Sequence, residues 1–252
     1  DNIVWVIIGR AVQGAGAISA AVTAFIADST REEHRTKAMA MVGASIGLTF
    51  AASLILSPLL YQWIGMGGIF ALTGIFSVLA IFVVVYVVPA APSLPPAQVS
   101  IREILAHGEL MRLNFGVFAL HLTQMAMFVV IPSALIRFAQ LPLAEHWKIY
   151  LPVVIASFVL MLPPIFIGEK RGKSKQVFVA AIALLLLVQI GMWLALSQTQ
   201  LHAAWLVGLL LAFFVAFNIL EASQPSLVSR IAPPGSKGTA LGVYNTCLLY
   251  TS

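Results

Sequence analysis

Charge is scarce in this sequence: only 9% of its 252 residues are Asp, Glu, Lys or Arg. A soluble globular domain carries about 25%, so this chain cannot clothe an ordinary water-facing surface. Cysteine is scarcer still. The single Cys247 excludes an intrachain disulfide framework and a multi-cysteine metal site. The five histidines, His34, His107, His121, His146 and His202, are scattered, and no HExxH, GxSxG or paired-aspartate arrangement occurs. Neither an enzyme nor a metal or cofactor site is therefore expected. The GxxxxGK[ST] loop that cradles nucleotide phosphates is also missing, which argues against ATP-driven work. The first apolar run is long and holds Arg10, so it does not read as a cleavable leader.

What the chain has in abundance is apolar length. Hydrophobic residues make up 60% and the mean hydropathy is +0.99. Stretches long enough to span a bilayer, about 20 residues each, fall at 3–27, 38–60, 68–89, 113–136, 149–167, 176–197 and 202–224, with an eighth beginning near Thr239. The fold class is all-α: a polytopic helical membrane protein with seven complete spans and a truncated eighth. A proline run from Pro89 to Pro96 breaks the helical pattern. It marks residues 90–110 as a linker, with Ile101 to Glu109 as a short amphipathic helix on the membrane surface.

The net charge of +5 and pI of 9.6 do not point to nucleic acid, because the basic residues lie in loops and are not interleaved with aromatics. With alternate loops on opposite sides, Arg31, Arg35, Lys37, Arg102, Arg112, Lys170, Arg171, Lys173, Lys175, Arg230 and Lys237 share one side, and Arg137 and Lys148 the other. The richer side is cytoplasmic by the positive-inside rule. Charge steering of a soluble partner is a weaker alternative.

Polar residues inside the spans are the functional candidates. Arg10 lies within the first apolar segment, where a cation costs roughly 2.5 to 3.5 kcal/mol on insertion scales. Asp28 follows eighteen residues later, about five turns and about 27 Å along the same face. Gly14 and Gly16 in the first span, and Gly43 and Gly47 in the second, let helix backbones approach closely. Pro58 is expected to kink or end the second span, and Pro152, Pro163 and Pro164 to bend or break the fifth. Asn114, His121 and Gln124 punctuate the fourth span. His121 reads either as an interhelical hydrogen-bond partner or as a group handling protons or substrate. Asn218 and Glu221 share one face of the seventh span with Gln224 a turn on. Glu221 reads as a coupling or cation-recognition carboxylate, or as a structural partner of Arg10 or His121.

One series of residues carries a resemblance. Gly9-Arg10-x-x-Gln13-Gly14-x-Gly16, followed by Asp28 and Arg35, His121, Glu145-His146-Trp147-Lys148 and Phe217-Asn218-x-x-Glu221-Ala222, resembles major facilitator superfamily transporters of the drug:proton antiporter type. The resemblance implies a twelve-helix fold in two halves, with this chain supplying helices four to ten and the start of eleven. Residues 1–89 would end the first half, 90–110 link the halves and 111–252 begin the second. Residues 247–252 depart from the family and read as a non-native tail.

It further implies a proton-coupled exporter of a small amphiphilic substrate in the bacterial inner membrane, monomeric when complete and without cofactor. Arg10, Gln13, Asn114, His121, Gln124, Asn218 and Glu221 would line the coupling site or substrate cavity, and Asp28 and Arg35 would form a conformational latch. Ser57-Pro58 differs from the family's glycine-proline antiporter motif, which leaves uniport and symport open beside antiport. A seven-helix receptor, or a structural membrane protein without flux, is the alternative.

Overall fold

The computed structural model describes residues 3–15, 21–22, 25–26, 29–30, 32–90, 101–199, 201–233 and 236–249. Gly16 and Asp28 lie outside the described residues, as do the side-chain surroundings of Arg10, Gln13, Gly14 and Arg35. The described chain is helical: α1 (Ile3–Ala15), α2 (Glu32–Tyr86), α3 (Ile101–Ala106), α4 (Gly108–Ala139), a 3-10 turn (Leu143–Glu145), α5 (Trp147–Lys170), α6 (Ser174–Leu196), α7 (Ala203–Ile231) and α8 (Lys237–Leu249). Five stretches among the described residues are long and apolar enough to cross a membrane: Leu56–Tyr86, Gly108–Ala139, Leu143–Lys170, Ser174–Leu196 and Ala203–Ile231. In hydrocarbon every backbone polar group must be satisfied within its own segment, and a helix does this without help from neighbours. The 23 residues of α6 rise about 35 Å at 1.5 Å each, enough to cross a core of about 30 Å.

Of the kink or end expected at Pro58 and the bend or break expected at Pro152, Pro163 and Pro164, the ending and the break do not occur. The helix does not end at Pro58, and α2 runs through it; the backbone leaves helical geometry at Gly65 (φ 64°, ψ −176°). That region of backbone space is essentially restricted to glycine, so the missing side chain decides where the helix breaks. Likewise α5 continues through Pro152, Pro163 and Pro164. Each proline removes one backbone donor, but the rest of the ladder persists because carbonyls in an apolar span have no solvent to turn to.

By compactness the chain divides into two units, residues 1–41, 92–129 and 221–252 forming one and residues 42–91 and 130–220 the other. The first has a core of Ile104, Leu110, Val117, Val228, Ala232, Ala240, Leu241 and Tyr244, which ties α3, the start of α4, the end of α7 and α8 together. Ile104 is fully buried while Ile101 and Leu105 stay exposed, so α3 docks through one side chain and leaves an apolar edge free.

In the second unit α5 and α6 form a hairpin around a tight turn. Gly172 takes φ +63°; its N–H donates to the Glu169 carbonyl at 3.2 Å and the Lys173 N–H to the Gly168 carbonyl at 2.7 Å. This pair of bonds is the Schellman ending, with glycine in the left-handed position. It places Lys170, Arg171, Lys173 and Lys175, all exposed, at one end of the hairpin. Helix α6 buries only the stripe Ala181, Val188 and Met192, and presents Leu186, Leu187 and Trp193 outward, as a lipid-facing support helix would.

Candidate functional site

In the first unit, α4 and α7 bring together two side chains that are 100 positions apart. His121 Nε2 lies 3.1 Å from Glu221 Oε2. His121 is buried, whereas the Glu221 side chain retains 35% of its exposure. One member of the pair is thus held in the protein and the other can still be reached. A titratable pair of this kind in an apolar helix is costly unless its members satisfy one another, and here they do. Chemically, an imidazole beside a carboxylate can hold a proton between them or release it.

Around this pair lie other buried polar groups of the same unit. Asn114 is 2% exposed; its Nδ2 faces Met111 Sδ at 3.7 Å, and its Oδ1 has no hydrogen-bond partner among the described residues. Gln124, half-buried, follows His121 by one turn. Gln224 is buried and accepts a hydrogen bond at its Oε1 from the Tyr244 hydroxyl, 3.3 Å away. Tyr244 was not legible as a partner, because the tyrosine of an apolar stretch looks like core.

In the second unit, Asn218 Nδ2 donates to Ser157 Oγ at 2.9 Å, which joins α7 to α5. The Ser157 hydroxyl in turn donates to the Val154 carbonyl at 2.7 Å, so it is used as donor and acceptor at once. Ser157 is wholly buried and was also missed: one serine in an apolar run carries no periodic signal. Glu145 and Lys148 of the sequence series pair across the turn before α5 at 2.8 Å, and His146 meets the Leu141 carbonyl at 3.1 Å. Those residues shape a helix start.

Among the packing glycines, Gly47 is buried with the Phe158 ring lying where its Cβ would be, while Gly43 faces open space. Pro58 is exposed. Arg10, Gln13, Asp28 and Arg35 cannot be joined to the pair, since their side chains lie outside the described residues. No group of three or more His, Cys, Asp or Glu side chains suited to a metal occurs among the described residues.

Residues 1–249 match the sequence model of the Major Facilitator Superfamily. The chain is similar to the inner membrane transport protein YajR of Escherichia coli K12, with 42% identity over 98% of this chain and 54% of the relative. It is also similar to the uncharacterized transporter BU466 of Buchnera aphidicola from Acyrthosiphon pisum, with 28% identity over 96% of this chain and 63% of the relative. More distantly, it matches the multidrug resistance protein MdtH of Aeromonas salmonicida at 25% identity over 58% of this chain and 36% of the relative. The chain thus spans between half and two thirds of the length of its two nearer-sized relatives.

Proposed function

The chain belongs to the major facilitator superfamily, and from that premise we propose that it is the central part of a proton-coupled secondary transporter that exports a small amphiphilic molecule. It is a multi-pass protein of the bacterial inner membrane, as its apolar helices and its inner-membrane relative support. In this reading residues 1–89 end the first six-helix half, 90–110 link the halves and 111–252 begin the second.

The observation that carries the reading is the His121–Glu221 pair at 3.1 Å within apolar helices. Glu221, the more exposed member, exchanges the proton with the cavity, and buried His121 stabilises the carboxylate once the proton has left. Asn114 and Gln124 place further polar groups in the unit that holds the pair; Arg10 sets the local field and biases proton release, and Asp28 and Arg35 latch the inward-closed arrangement. One charge moved through 100 mV supplies about 2.3 kcal/mol, enough to drive a substrate against roughly a fiftyfold gradient. The name of the Aeromonas relative, a multidrug resistance protein, supports an amphiphilic substrate.

The test uses the full-length protein in proteoliposomes. An imposed pH gradient is expected to drive a lipophilic dye cation uphill, with an opposing pH change that depends on the dye. Dye movement without any coupled pH change would contradict proton coupling.

A further inference from the structure

On the seam between α4 and α7, Gln224 of α7 also lies close to Gly116 of α4, three residues along α7 and five along α4 from the His121–Glu221 pair. Gln224 is 3% exposed, so its amide has almost no room. On one side its Nε2 lies 3.3 Å from the point where a side chain on residue 116 would place its Cβ, and residue 116 is glycine. On the other side its Oε1 accepts from the Tyr244 hydroxyl of α8 at 3.3 Å, and Tyr244 is itself locked into the core beside Val117 and Leu241. The amide is seated against the bare backbone of α4 and tethered from behind by α8.

Gln224 follows Glu221 by three residues on α7, and His121 follows Gly116 by five on α4. The two helices therefore meet in antiparallel register twice, once at Gly116 and Gln224 and once at His121 and Glu221. Helices are stiff over one turn, so a displacement of α7 at Gln224 is a displacement at Glu221. We propose that Gln224 is a positioning residue: seated on Gly116 and held by Tyr244, it sets the register that keeps Glu221 within hydrogen-bond reach of His121. An ordinary buried glutamine needs a partner but does not need the facing residue to be glycine. The fit between amide and bare backbone is what distinguishes the two roles. The functional meaning of this positioning rests on the coupling role proposed above, but its physical content does not.

The experiment reads the pair itself. In the full-length protein in lipid nanodiscs with 15N-labelled histidine, the His121 Nε2 resonance is assigned by its loss in His121→Gln. Its displacement in Glu221→Gln shows what a lost contact looks like. Gly116→Ala is expected to displace the resonance in the same direction by a smaller amount. The double variant Gly116→Ala/Gln224→Ala is expected to coincide with Gln224→Ala, because the alanine methyl then has no amide to push. Tyr244→Phe, which removes only the hydroxyl that holds Gln224 Oε1, carries the test if Gly116→Ala does not fold, and is expected to shift the resonance the same way. A His121 resonance at its wild-type position in Gly116→Ala or Tyr244→Phe, or additive shifts in the double variant, would overturn the proposal. Failure of proton-coupled transport would leave this outcome untouched, so the two readings fail separately.

Discussion

Asn218 donates to Ser157 across two helices at 2.9 Å, and Ser157 is fully buried. The bond fixes α7 against α5 through a hydroxyl that is itself shielded from solvent. Its strength is nevertheless bounded: interhelical hydrogen bonds in membranes average about 0.6 kcal/mol and reach about 1.7.

Ser157→Ala is therefore expected to lower stability by about 0.6 to 1.7 kcal/mol, read as reversible unfolding of the full-length protein in mixed micelles. Adding Asn218→Leu recovers part of that loss, because an amide without a partner is replaced by an apolar group. A Ser157→Ala protein as stable as wild type would show that the bond contributes nothing.

The two glycines of the Gly43-x-x-x-Gly47 spacing separate in consequence. Gly47→Ala drives a methyl into the Phe158 ring, and overpacking of this kind costs about 1 to 3 kcal/mol. Gly43→Ala meets nothing within 4 Å, and gains up to about 1 kcal/mol of helix propensity. Unfolding midpoints that move in opposite directions are the expected result; equal effects would remove Phe158 from the explanation.

Backbone geometry makes a third pair of expectations. Gly172→Ala places a Cβ on a left-handed residue that closes a helix, at a cost of about 1 kcal/mol or more. Gly65→Ala is more damaging, because φ 64° and ψ −176° define a region costing about 1 to 3 kcal/mol for other residues. Neither position has a neighbour in the way, so the difference reports backbone conformation alone.

The spans from Gly108 onward were legible in the sequence because apolar runs of bilayer length have no other comfortable solution, whereas the expected spans 38–60 and 68–89 fall in the one helix α2, whose bilayer-length apolar stretch is Leu56–Tyr86. Glu221 and His121 were visible as candidates, and their pairing as one option among two. What brings His121 to Glu221 is the α4–α7 register, which depends on contacts between residues 100 positions apart and leaves no local periodicity. Ser157 and Gly116 were invisible because a serine in an apolar run and a glycine in a helix are ordinary until the facing residue is known. A kink or end of the second span was expected at Pro58, since proline removes a donor, but the break of α2 lies elsewhere. It occurs at Gly65 because the conformation required there tolerates no side chain.

The central claim is that Glu221 carries the coupled proton while His121 stabilises its carboxylate once the proton has left. Glu221→Gln in the full-length protein tests it most directly, with two fluxes measured in the same proteoliposomes. Exchange of labelled for unlabelled lipophilic dye should continue near the wild-type rate, because it needs no net proton movement. Accumulation driven by an imposed pH gradient should fall to background. Undiminished gradient-driven accumulation in Glu221→Gln would contradict the account.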